Sequence, residues 1–102
     1  MVNLLQRGFM DSIILYSPLD MHLHLRDGEM LKKVARYSSS VFSGALVMPN
    51  IVPPASSVKD VLSYKDRILN VTKDDIFEPI MSMFFTEELT YNELEKAKAK
   101  GI

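Results

Sequence analysis

The sequence contains two histidines, and both lie in one stretch, Asp20-Met21-His22-Leu23-His24-Leu25-Arg26-Asp27-Gly28. Polar and apolar residues alternate along it. In a β-strand, successive side chains point to opposite faces. A strand therefore puts Asp20, His22, His24 and Arg26 on one face and Met21, Leu23 and Leu25 on the other. A helix would set His22 and His24 about 200° apart, where they could not converge. Neutral imidazole is a good ligand for zinc, and neighbouring in-facing strand positions can reach one ion. A bare His-x-His reads first as ordinary polar residues on a half-exposed strand; Asp20 and Arg26 on the same face strengthen the metal reading, yet two imidazoles do not complete a catalytic zinc site. With no cysteine in the chain, further ligands must be carboxylates or lie outside this sequence.

Two more residues have types suited to the same rim. Arg26 is either a salt-bridge partner of a nearby acid or a planar fork for a carboxylate. Asn50 follows Pro49 and reads first as a turn residue. It also sits just past the end of the apolar run Ala45-Leu46-Val47-Met48. Lys96, Lys98 and Lys100 read as a solvated helix end matched to the macrodipole. The methionines read as core filler.

The elements that must position these residues alternate. Ile13-Ile14-Leu15-Tyr16 is a short β-type run closed by Ser17-Pro18, and residues 1–12 before it are a short extension of low information. The histidine strand ends at Gly28, and Asp27 is placed to cap a helix. Met30, Leu31, Val34, Ala35, Tyr37, Val41 and Phe42 recur at helical spacing, with Gly44 as the stop. Ala45–Met48, apolar on both faces, reads as a buried parallel strand. Ser57 opens a helix with the stripe Val58, Val61, Leu62, Ile68 and Leu69, followed by a polar connection over 70–75. Phe77–Phe85 is a third strand. Thr90-Tyr91-Asn92-Glu93 is a capping box before a last helix, and Gly101 ends it.

This order predicts an α/β chain of three βα units with a parallel sheet. A closed (β/α)8 barrel needs about 250 residues, so 102 residues suggest its first three units, incomplete here. Residues 1–102 are expected to be the N-terminal part of a single larger barrel domain. The formal net charge of -1 gives no electrostatic footprint for nucleic acid or an anionic membrane. The lack of cysteine, of a signal peptide and of a membrane-length apolar run fits the cytoplasm.

The stretch His22-Leu23-His24-Leu25-Arg26-Asp27-Gly28-Glu29-Met30-Leu31, with Val47-Met48-Pro49-Asn50 and Pro53-Pro54, resembles the N-terminal third of bacterial dihydroorotases of the shorter, single-enzyme type. The likeness continues through Tyr64–Leu69 and Asn92-Glu93-Leu94-Glu95. It implies an amidohydrolase barrel with two zinc ions that interconverts L-dihydroorotate and N-carbamoyl-L-aspartate in pyrimidine biosynthesis. It implies that His22 and His24 are metal ligands, and that Arg26 and Asn50 hold the substrate's α-carboxylate. It further implies a small-molecule substrate, no nucleic-acid or membrane partner, and allows a homodimer when complete. The family's bridging carboxylated lysine, its two further histidines and its catalytic aspartate have no counterpart here. The isolated chain is therefore expected to be inactive, with no catalytic residue of its own. An alternative is a non-catalytic dihydroorotase-like remnant or binding protein. A His-x-His phosphoesterase would leave Arg26-Asp27-Gly28 and Met48-Pro49-Asn50 unexplained.

Overall fold

The computed structural model describes residues 11–102. Three strands alternate with three helices: β1 Leu19–Leu23, α1 Gly28–Ser39, β2 Gly44–Val47, α2 Val58–Thr72, β3 Glu78–Met81 and α3 Tyr91–Ala99. The sheet order is β1-β2-β3, and both pairings are parallel. The expected succession of βα units is therefore present. The extension expected over residues 1–12 lies, up to residue 10, outside the described residues.

The helices cover the sheet face that carries Ala45, Val47 and Met81. These join Leu25, Leu31, Ala35, Val61, Tyr64 and Ile68 in one core. β2 is central and pairs on both sides, which is why its sequence is apolar throughout. The β3 edge opens onto an apolar groove of about 730 Å³, whose lining includes Leu46, Ile80, Met83, Leu94 and Ile102.

Several boundaries differ from the sequence expectation, each for a physical reason. Ile13–Tyr16 forms no strand, and all four side chains are exposed; no neighbouring strand among the described residues offers it a ladder. α1 stops at Ser39, where the Ser40 hydroxyl donates to the Arg36 carbonyl at 2.6 Å and occupies a group of the last turn. Val41 and Phe42 thus lie beyond the helix, and Gly44 opens β2 instead of closing α1. Its glycine is needed there because a Cβ would stand 2.7 Å from the Glu78 carbonyl oxygen. β2 ends at Val47, so Met48 lies past it. α2 runs on through Thr72, whose hydroxyl donates back to the Ile68 carbonyl at 3.0 Å. Its buried stripe includes Tyr64, while Leu69 is partly exposed. β3 covers Glu78–Met81 only. Beyond it the Ser82 hydroxyl takes the Val47 carbonyl at 2.6 Å, and Phe85 is exposed.

The helix caps show where side chains replace missing backbone partners. Ser57 accepts the Asp60 amide at 3.1 Å, and Thr90 accepts the Glu93 amide at 3.2 Å. Glu93 does not close its own box. Its carboxylate accepts the Val58 amide at 2.8 Å and so serves the first turn of α2. Gly101 follows α3 with φ +76°, a left-handed value suited to glycine.

Crowding at Gly44 gives a direct test of the β2–β3 register. Gly44→Ala should destabilise the fold by about 1–3 kcal/mol, the usual range for overpacking against backbone. The readout is the urea midpoint, and an unshifted midpoint would mean that the two strands are not held this closely.

Candidate functional site

The site is built at the C-terminal ends of β1 and β2. The ladder continues one step past the strands, where the Met48 amide donates to the Leu23 carbonyl at 2.9 Å. That bond brings the residues following β1 level with those following β2. The register between the two strands shifts between Asp20 and Leu23. At this irregularity the Asp20 carboxylate accepts the His22 amide at 3.0 Å. Bulges of this kind re-aim side chains at strand ends.

His22 and His24 meet as the alternation required. Their Nε2 atoms are 3.0 Å apart, with ring centroids 5.0 Å apart and planes tilted by 55°. His24 Nδ1 lies 2.9 Å from Asn50 Oδ1. An amide oxygen only accepts, so Nδ1 is the donor in this contact, and a neutral His24 then presents a lone pair at Nε2. Asn50, from the loop after β2, thereby sets the donor nitrogen of an imidazole just past the end of β1. Such a partner on the second ring nitrogen is what orients metal-ligating histidines. The separation of the two Nε2 atoms is below twice the zinc–nitrogen distance of about 2.0–2.1 Å, so the two rings are close enough to share one ion once both Nε2 atoms are unprotonated. Among the described residues no group of three or more His, Cys, Asp or Glu side chains could hold a metal. The two imidazoles fit a divalent ion as part of a ligand set, and the rest of that set is not among the described residues.

The expected common face of Asp20, His22, His24 and Arg26 holds for the histidines and fails at both ends. Asp20 is turned to the backbone of its own strand. β1 ends at Leu23 rather than at Gly28, so Arg26 lies past the strand, in a left-handed turn with φ +57°. For a residue with a Cβ this region costs about 1–2 kcal/mol. The sequence leaves Arg26 open between an ion pair and a carboxylate fork. Among the described residues no carboxylate pairs with it; the ion pairs found join other residues.

The neighbouring acid is used elsewhere. Asp27 stands at the N-cap of α1, yet its side chain makes no cap hydrogen bond. It accepts Arg67 Nε and Nη2 instead, each at 2.9 Å, in a two-pronged ion pair from β1's turn to α2. Arg67 also lies over the Tyr64 ring, with its guanidinium carbon 5.4 Å from the ring centroid. The buried Tyr64 hydroxyl donates to the Arg26 carbonyl at 2.5 Å. Burial, with a smaller contribution from the Asp27 charge, pushes the Tyr64 phenol up to about 12. It stays a donor across the ordinary pH range. Sequence reasoning missed this set and assigned Arg67 no partner. The available signal was the spacing of Tyr64 and Arg67, three residues apart on one helix face.

Consecutive parallel βα units with polar residues gathered at the strand C-terminal ends define the opening of an α/β barrel. No family model matches the chain. Curated relatives do. A dihydroorotase from Helicobacter pylori is 44% identical over 90 residues, 88% of this chain and 26% of the relative. One from Aliivibrio fischeri is 45% identical over 92 residues, 90% of this chain and 27% of the relative. The crystal structure of dihydroorotase from Campylobacter jejuni superposes with a TM-score of 0.77 at 44% identity, covering 82% of this chain and 25% of that one. That of the Saccharomyces cerevisiae dihydroorotase, in complex with 5-fluoroorotic acid, gives 0.72 at 28% identity, covering 81% and 22%. Over about nine-tenths of its length the chain is similar to dihydroorotases, and it spans about a quarter of the length of the relatives it matches.

Two measurements follow from this geometry. Asn50→Leu should remove the Nδ1-protonated tautomer of His24 in imidazole ¹⁵N spectra and weaken zinc binding by about 10–100-fold, the usual effect of losing such a partner. Unchanged spectra and affinity would show that Asn50 does not orient the ring. The second concerns acid stability. The Arg67 hydrogen bonds hold the Asp27 carboxyl below its ordinary value of 3.8. The stability this adds is complete above that value and is lost as pH falls through the lowered one. Arg67→Met should therefore be less stable than the parent near neutrality, with the gap narrowing below about pH 4. An equal gap at pH 7 and pH 3 in thermal melts would argue against the ion pair.

Proposed function

We propose that the chain is the N-terminal part of a single metal-dependent hydrolase barrel, residues 1–102 here, and that the whole protein is a cytoplasmic dihydroorotase. The reaction is the reversible hydrolysis of L-dihydroorotate to N-carbamoyl-L-aspartate in pyrimidine biosynthesis. The observation that carries the proposal is the convergence of His22, His24 and Asn50 at one rim, in a chain whose relatives are dihydroorotases.

His22 and His24 would hold the metal through Nε2. A bound zinc centre supplies Lewis acidity toward the ring carbonyl and a nucleophile at neutral pH. The chain's own residues do the rest of what this section of the barrel contributes. Asn50 keeps the His24 lone pair aimed at the ion. Its amide nitrogen remains to donate to the substrate carboxylate. Arg26, free of any carboxylate among the described residues, presents a fork that matches the same group in two places. The yeast relative's complex with an orotic acid derivative supports a carboxylate-bearing ligand here.

The test is the natural gene product, taken intact, with its mass and its turnover of L-dihydroorotate measured together. A mass near that of the relatives, with activity lost on zinc chelation, is the expected result. The 102-residue chain alone should give no turnover above background, because two imidazoles leave a catalytic zinc short of ligands. Turnover by the short chain would overturn the assignment of the remaining site to the rest of a barrel. An intact product without activity would favour the non-catalytic remnant, in which Arg26 and Asn50 persist without a working metal centre.

A further inference from the structure

Arg26 is held by its backbone rather than by its side chain. Its φ of +57° lies in the left-handed region, which residues with a Cβ rarely adopt and which local structure must enforce. On one side of it, Leu25 is buried in the core. On the other, Asp27 is fixed by the two-pronged ion pair to Arg67. Between them, the Arg26 carbonyl receives the hydroxyl of Tyr64, a side chain with no exposed surface. Arg67 lies over the ring of that tyrosine and donates to Ser63 Oγ at 2.8 Å. The anchoring residues all come from α2, so one helix determines the direction in which Arg26 leaves the turn.

We infer that Tyr64, backed by Arg67, is a positioning residue for Arg26: it holds the left-handed turn that aims the Arg26 guanidinium at the substrate carboxylate. The inference rests on the assignment of Arg26 to that carboxylate. Without the hydroxyl, the carbonyl loses its buried donor and the turn is released toward ordinary backbone regions. The guanidinium then swings away from the rim occupied by His24 and Asn50. A bidentate contact depends on the placement of both prongs, so a small rotation of the backbone is enough to lose it. Tyr64 touches no substrate atom in this scheme.

The experiment uses the full natural protein and the variants Tyr64→Phe, Arg26→Lys and the double variant. Tyr64→Phe keeps the ring and the packing and removes only the donor. KM for L-dihydroorotate should rise on the order of tenfold, as expected when a binding group is misplaced, while kcat stays within about twofold. In the Arg26→Lys background the same change should add little, because the fork it positions is already gone. Arg67→Met, which leaves the hydroxyl but frees Asp27, should move KM in the same direction. Additive effects of Tyr64→Phe and Arg26→Lys would overturn the inference, as would a fall in kcat at unchanged KM. If Arg26→Lys by itself leaves KM unchanged, the carboxylate assignment fails, and the positioning role falls with it. Arg26→Lys raising KM while Tyr64→Phe does not would remove the positioning role and leave the assignment standing.

Discussion

The β1–β2 ladder is the constraint on which the site depends. Parallel strands carry evenly spaced hydrogen bonds, and here the last of them runs past the strands from the Met48 amide to the Leu23 carbonyl. One residue beyond that bond, just past β1, stands His24, and two beyond it on the other side stands Asn50. Their 2.9 Å contact follows from this register. A shift of one residue would turn the side chains to the opposite face and separate the pair. Gly44, at the start of β2, keeps the neighbouring ladder close enough for the sheet to hold that register.

A second tie runs from the turn after β1 to α2. It combines an ion pair, a stacked guanidinium and a buried hydroxyl on residues 26, 27, 64 and 67. Asp27 is thus diverted from capping α1 to anchoring β1. Glu93 is diverted in a comparable way, from its own helix to the first amide of α2. In both cases a side chain with a local role available is taken by a remote partner that only packing supplies. α2 is the common beneficiary, which fits its place behind the whole core.

Resemblance and geometry contribute different things to the functional reading. The relatives are dihydroorotases and supply the reaction to be tested. The structure adds that Arg26 pairs with no carboxylate among the described residues, and that the Asn50 side-chain oxygen lies against the ring of His24.

The sequence by itself determined the order of elements, the parallel sheet and the meeting of His22 with His24. Those follow from periodicities of 2 and 3.6 and from short-range signals at Ser57, Thr90 and Gly101, which need no distant partner. Strand and helix ends were less legible. Ile13–Tyr16 has strand composition without a ladder to join, and β3 stops at Met81 although its apolar run continues. Only the tertiary structure decided the partners of Asp27, Glu93, Tyr64 and Asn50. Each is joined to a residue at least 26 positions away. No local pattern encodes such pairs, because they form only when the βα units stack in one register and bring remote polar groups within hydrogen-bonding distance.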